Sequence, residues 1–362
     1  MGHVPLKRSF AVVGALLANV AFALGSPTAQ GASPLVAKKV AEFRERIWVG
    51  GADFNQDATE LAINALSTGP DVHIWDWRNE RIARVLPMGI SSGDGRIRYS
   101  PNGALLVAGH DLGAQRIGSG LIRIWDAHTG EVVHDVAEPG GATNVMDFSF
   151  SPDGRFFVRS VQRGARYFLV VHQTDSWSEV WSLETGMFRP RVLALSPEFH
   201  SAAMGGETCE ANPQMICHPQ VLIIDLEKRQ ITRTIGGAFP DQNQIRALAW
   251  SPDGRSLAAG VIVQGTYPGP YAVKIFDPMT GAESASETAK VADVNAIRYS
   301  PNGLYLVETS LDEHVCIWDG QHKQLLQTIR TSTGSHTTLA VSRDSRYLMI
   351  GAGPDVSVWE LK

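Results

Sequence analysis

Cysteine is scarce in this chain: three residues in 362, at Cys209, Cys217 and Cys316. No Cys-x-x-Cys pair occurs, which excludes the zinc-finger and haem-attachment spacings. Clustered positive charge is also missing. The 32 lysines and arginines are scattered among 37 acids, giving a formal charge of −5. That argues against a nucleic-acid partner, because such binding rests on grouped Lys and Arg. There is no Gly-x-Ser-x-Gly elbow, no His-Glu-x-x-His and no phosphate loop, so no cofactor and no catalytic residue is implied. The eleven histidines are dispersed, with His73 in a strand pattern, His128 in a turn, and His134 and His322 near outer strands.

The composition itself is ample for a core: 44% hydrophobic residues, with 35 glycines and 19 prolines that suit a fold of many tight turns. The N-terminus reads apart from the rest. Lys7 and Arg8 precede an uncharged run from Phe10 to Leu24, which ends in the small residues Ala21, Ala23, Gly25 and Ser26. This is the order of a secretory signal over residues 1–25, with cleavage after Ala23 or Gly25 and a linker at 26–34. The run is shorter than the roughly 20 residues of a spanning helix, so no membrane span is expected after cleavage. Cleavage removes Lys7 and Arg8, taking the charge from −5 to −7. The expectation is an exported protein, periplasmic or secreted.

A short segment recurs from there on. It reads Ile97-Arg-Tyr-Ser-Pro-Asn-Gly103, Phe148-Ser-Phe-Ser-Pro-Asp-Gly154, Leu248-Ala-Trp-Ser-Pro-Asp-Gly254 and Ile297-Arg-Tyr-Ser-Pro-Asn-Gly303. Weaker copies are Leu193 to Phe199 and Leu339 to Ser345, and a decayed one is Ala52 to Ala58, making seven. Alternating apolar residues make a strand, Pro sets the turn, and Asp or Asn before Gly supplies positive φ cheaply. A second element follows downstream in five clear copies: Val72-His-Ile-Trp-Asp76, Ile122-Arg-Ile-Trp-Asp126, Val273-Lys-Ile-Phe-Asp277, Val315-Cys-Ile-Trp-Asp319 and Val356-Ser-Val-Trp-Glu360. The fourth repeat offers Val221 to Asp225 and the third a loose Phe168 to His172.

Two motifs, repeated every roughly 42 to 55 residues and carrying Trp75-Asp76, Trp125-Asp126, Trp318-Asp319 and Trp359, resemble the WD-repeat family. The resemblance covers about residues 45 to 362 and implies an all-β, seven-bladed propeller of four-stranded antiparallel blades over 35–362. It departs from the family in one respect. The usual Gly-His pair is absent before the first strand, as in Lys290-Val-Ala-Asp-Val294 and Gly140-Gly-Ala-Thr-Asn144. The blades are therefore expected to be held by packing around Trp75, Trp125, Trp318 and Trp359 rather than by a histidine network. The last repeat supplies three strands, and Leu35 to Glu45 is placed to add the fourth and close the ring. Val36, Val40, Phe43 and Ile47 also fit a helical spacing, which leaves a helix there as the alternative.

The resemblance implies a protein-binding scaffold. In this fold the second-to-third-strand loops open on one rim, and these are short at Ser67–Asp71, Leu311–Glu313 and Ala352–Asp355. They lengthen in blades two to five at His110–Gly120, Gln162–Arg166, Glu207–Gln220 and Gln264–Pro270. The expected binding lip offers Asp111, Arg116, Arg163, Arg166, Glu207, Glu210, Tyr267 and Tyr271, Arg and Tyr being favoured at interface centres. Within it, an exported setting makes a Cys209–Cys217 disulfide the natural reading, with a copper site of Cys, Met and His as the alternative. Cys316, in an apolar strand pattern, is read as a buried free thiol. The alternative functional reading is a propeller enzyme, lactonase-like or quinoprotein-like, with a site at the central channel mouth.

Overall fold

The repeated Ser-Pro-Asp/Asn-Gly segment closes a hairpin by one set of bonds. In blade three of the computed structural model, Ser151 Oγ donates to Asp153 Oδ1 at 2.6 Å and accepts from the Phe156 amide at 2.9 Å. The Gly154 amide closes the turn on the Ser151 carbonyl at 2.8 Å, with Gly154 at φ 73°. Ser100–Asn102, Ser251–Asp253, Ser300–Asn302 and Ser342–Asp344 repeat the side-chain bond at 2.6–2.7 Å. The Ser151 hydroxyl is the main reason the Asp153 carboxyl sits at about 2. Where the glycine has been lost, Ala58, Phe199 and Ser345 still take φ of 56–61°. The turn outlasts its best residue at a cost of about 1 kcal/mol each.

The residues described are 36–46, 48–65, 71–88, 95–109, 121–136, 145–211, 215–237, 243–263, 271–291, 294–310, 312–321, 324–332 and 337–362. They form β1 (Ala37–Arg44) and then seven repeats. Blade one is β2 (Val49–Phe54), β3 (Leu61–Ala65), β4 (Asp71–Asp76) and β5 (Arg81–Pro87); blade two is β6 (Arg96–Tyr99), β7 (Leu105–Gly109), β8 (Ile122–Asp126) and β9 (Val132–Val136). Blade three is β10 (Val145–Phe150), β11 (Phe156–Arg163), β12 (Arg166–Gln173) and β13 (Glu179–Gly186); blade four is β14 (Arg189–Leu195), β15 (Ser201–Ala211), β16 (Met215–Asp225) and β17 (Gln230–Ile235). Blade five is β18 (Asn243–Trp250), β19 (Leu257–Val263), β20 (Tyr271–Phe276) and β21 (Glu283–Val291); blade six is β22 (Val294–Tyr299), β23 (Tyr305–Ser310), β24 (His314–Asp319) and β25 (Leu325–Arg330). Blade seven is β26 (Thr337–Val341), β27 (Tyr347–Ala352) and β28 (Asp355–Leu361), completed by β1.

The chain is therefore an all-β, seven-bladed propeller. Successive first strands touch from β2 round through β26 and back to β2, so the ring is closed. Seven apolar clusters fill the seven joints between neighbouring blades. Each buried Leu, Ile, Val or Phe in them contributes on the order of 1.5–3 kcal/mol. Five of the first strands carry a β-bulge at the same place, before Gly51, Asp147, Val192, Ala247 and Ala296.

Closure follows the strand reading of the N-terminal segment, not the helical one. β1 pairs antiparallel with β28 from Ala37↔Leu361 to Arg44↔Asp355, covering an edge that would otherwise leave backbone groups unpaired. Gln327 of blade six also clasps Ala37, accepting from its amide at 2.9 Å and donating to its carbonyl at 3.0 Å.

The tryptophans correct one expectation. Trp125 is held by packing, fully buried with no bond to Nε1 among the described residues. The other three are hydrogen-bonded as well as packed. Trp75 Nε1 donates to Glu45, which also meets His73 Nδ1 at 3.0 Å, and the ring stacks on Phe43. Trp318 Nε1 donates to the buried Glu308 at 2.9 Å, and Trp359 to Ser357 Oγ at 2.9 Å. The aspartates that follow act locally: Asp126 accepts from the His128 and Thr129 amides, Asp76 from Asn79 and Arg81, and Asp319 from Gln321. Each caps the turn into the outer strand.

The signal and linker readings at 1–34 lie outside the described residues. Among those described, no helix is long and apolar enough to cross a membrane.

Candidate interaction rim

Each blade presents two ends. One carries the Ser-Pro-Asp/Asn-Gly turns and the Trp-Asp turns; the other carries the second-to-third-strand connections and the passages between blades. Along this second rim the blades differ in height. Blade seven turns over at once through Gly353-Pro354. Blade three is taller: Gln162–Arg166, read from sequence as a loop, is the end of a strand pair that turns at Gly164-Ala165 with Arg163 opposite Arg166.

Blade four is taller still. Glu207–Ala211 and Met215–Gln220 are likewise strand rather than loop: β15 and β16 pair through eleven rungs without a bulge, from Ser201↔Asp225 to Ala211↔Met215. At about 3.4 Å per residue that is a ribbon of roughly 37 Å, near twice an ordinary strand. β14 accompanies it only as far as Glu207, and β17 only as far as Val221. The rungs Thr208↔His218, Cys209↔Cys217, Glu210↔Ile216 and Ala211↔Met215 thus stand clear of the blade as a two-stranded finger. An unsupported hairpin is marginal in water. Here Cys209 and Cys217, directly opposite with Cα atoms 4.0 Å apart, are joined by a disulfide that pins it. The bond occupies both sulfurs, which takes them from the copper alternative.

Alternation sorts the finger into faces. Glu207, Cys209, Cys217 and Pro219 share one, and Thr208, Glu210, Ile216 and His218 the other. Glu207 is not part of an outward lip: it is buried and receives Arg191 through both carboxylate oxygens at 2.5 and 2.8 Å. Glu210, Ile216 and His218 are exposed. Ile216 is a large apolar side chain left 39% open on a free-standing ribbon.

The other expected lip residues are spread out. Arg163 pairs with Glu179 at 2.7 Å and Arg166 with Glu184 at 3.2 Å, both within blade three. Tyr271 opens β20, while Asp111, Arg116 and Tyr267 lie outside the described residues. The sequence reading passed over Ile216, and took His218 only as a ligand of the alternative copper site, because Met-Ile-Cys-His looked like loop chemistry. It also passed over Trp48, which is 42% exposed at the passage from β1 to β2 on this same rim. On the opposite rim, a concavity of about 440 Å³ opens between blades one and two, where Arg84 is already paired with Glu60 at 2.7 Å.

Residues 224–354 match the model of the family described as eukaryotic translation initiation factor eIF2A. The match runs from the end of β16 to the last turn of blade seven, just over a third of the chain. That family is a WD40-type propeller, so the match and the seven blades together fit a WD-repeat propeller. No curated protein matches the chain.

Proposed function

We propose that this protein is an exported, non-catalytic protein-binding scaffold that takes its partner on the second-to-third-strand rim, with the blade-four finger as the main contact. One observation carries the reading: the finger outruns its own blade by four rungs, is stapled at Cys209–Cys217, and presents Ile216 uncovered. A ribbon that stands beyond its own four-stranded sheet adds little to the fold by being rigid. Rigidity is useful for a surface that docks, because ordering is then completed before binding. Ile216 offers an apolar anchor with Glu210 and His218 beside it, the arrangement of a small apolar centre with a polar rim. The export half of the reading rests on the signal-like N-terminus and on the disulfide, which persists in oxidising compartments.

The test is site-specific photo-cross-linking in the native envelope. A photoreactive residue at position 216 is expected to form a discrete adduct with one protein, while the same residue at position 155, on the opposite rim, forms none. Adducts at 155 with none at 216 would contradict the proposal.

A further inference from the structure

The residue two places before the turn serine is small in four repeats: Ser149, Ala194, Ala249 and Ala340. In blades one, two and six it is Asp53, Arg98 and Arg298. The turn proline itself is replaced in blade seven by Arg343. These four charged residues converge. Arg343 reaches past blade one to blade two, donating to the Pro101 carbonyl at 2.6 Å and the Ser100 carbonyl at 2.9 Å. Asp53 accepts from the Tyr99 amide at 2.9 Å. Blades two and six have two blades between them one way round and three the other. Yet Arg298 feels the charge of Arg98, and burial with that repulsion pulls it down to about 10. Both stand on first strands of the closed ring, β6 and β22, so the charge is felt across the central channel. Asp53, Arg98 and Arg298 are deep in the ring yet still partly open to solvent, and Arg343 is exposed at the mouth.

The charges do not balance there. Higher in the ring Arg96 pairs with Asp147 at 3.6 Å and Arg191 with Glu207 at 2.5 Å. At the turn-side mouth Arg98, Arg298 and Arg343 have Asp53 among them, and Arg298 also feels Asp147 and Arg96, so that four guanidinium groups answer to two carboxylates. Arg98 and Arg298 each donate, among the described residues, only to the carbonyl of the residue before them, at 2.8 Å. In a chain of net charge −5 this is a local excess of two positive charges inside a low-dielectric ring. Guanidinium forks with donors to spare suit an oxygen-bearing anion, which they can grip two oxygens at a time.

We propose that the turn-side mouth of the channel binds a small multivalent oxyanion, of phosphate or polycarboxylate type, through Arg98, Arg298 and Arg343. The site is at the opposite end of the channel from the finger and stands independently of the partner-binding reading.

Calorimetric titration of the full chain with pyrophosphate and with citrate, at low ionic strength and against sodium chloride of matched ionic strength, tests it. One anion per chain is expected. Tighter binding of pyrophosphate assigns a phosphate ligand, and tighter binding of citrate a carboxylate one. Arg298→Gln and Arg98→Gln are each expected to weaken binding at least tenfold, and Asp53→Asn to strengthen it. Arg343→Gln, at the exposed mouth, should weaken it several-fold and covers the case in which an inner variant does not fold. Arg155→Gln, on the outer surface, should change nothing. No heat from either anion at millimolar concentration, or equal affinity in all the arginine variants, would overturn the proposal. So would binding of acidic peptides alone.

Discussion

Glu308 is a buried acid whose titration bears on the stability of the propeller. It lies in the wholly buried strand β23, one carboxylate oxygen accepting from Trp318 and the other with no hydrogen-bond partner among the described residues. Burial pushes it from the ordinary 4.5 up to about 7. The fold therefore favours the neutral acid. Its contribution is complete below pH 4.5, declines as pH rises, and is lost above about 7, a change of about 3 kcal/mol. Glu308→Gln keeps the bond to the indole and removes the charge. Urea-unfolding free energies measured from about pH 4 to pH 8 should show wild type losing ground to the variant across that range. A constant difference between the two would contradict the assignment. The sequence made the missing histidine legible, since no Gly-His precedes the first strands. It did not reveal the substitutes: Glu308 sat in an apolar run, and Glu45 lies thirty residues before the Trp75 it serves.

At the scale of elements, the hairpins were legible because their chemistry is local. Ser, Pro, Asp and Gly within four positions specify the turn, and Trp-Asp specifies the next. The blade-four finger was not, because Cys209 to His218 mixes Asn, Pro, Gln and Met and lacks the alternation by which a strand is recognised. Cross-strand pairing and the disulfide override that weak local preference. The same disulfide yields a prediction. In Cys209→Ser/Cys217→Ser, amide hydrogen exchange over 208–218 should accelerate strongly while the melting temperature moves little, because the rungs released belong to no four-stranded sheet. A loop this short is worth only about 2–3 kcal/mol to begin with, spent locally. A collapse of the melting temperature would show instead that the finger supports the ring. In the native protein Cys316 should resist thiol reagents, being buried and pushed up to about 12 chiefly by that burial.

For the whole molecule, seven clusters in seven joints make the ring a chain of equal links, and β1 is the link that closes it. Truncation through residue 44 should expose β28 as a bare edge, strip Phe43 from Trp75 and unclasp Gln327. Sedimentation and thermal melting are expected to show association and a clear loss of stability. A monomer of unchanged melting temperature would argue against closure by this strand. Repeat count and closure could be read in advance, since both depend on periodicity. The crowding of Asp53, Arg98, Arg298 and Arg343 could not. These residues come from four blades and up to 290 positions apart, and only the ring brings them to one axis. The second-to-third-strand rim lies between these cases: its position followed from strand order, while its shape depended on how far two strands continue to pair.

The scaffold reading is tested most directly by shortening the finger. A chain in which 208–218 is replaced by a two-residue turn like Gly164-Ala165 keeps the full four-stranded blade. Partner capture from the native envelope should succeed with wild type and fail with this variant at equal thermal stability. Undiminished capture by the shortened chain would contradict the account.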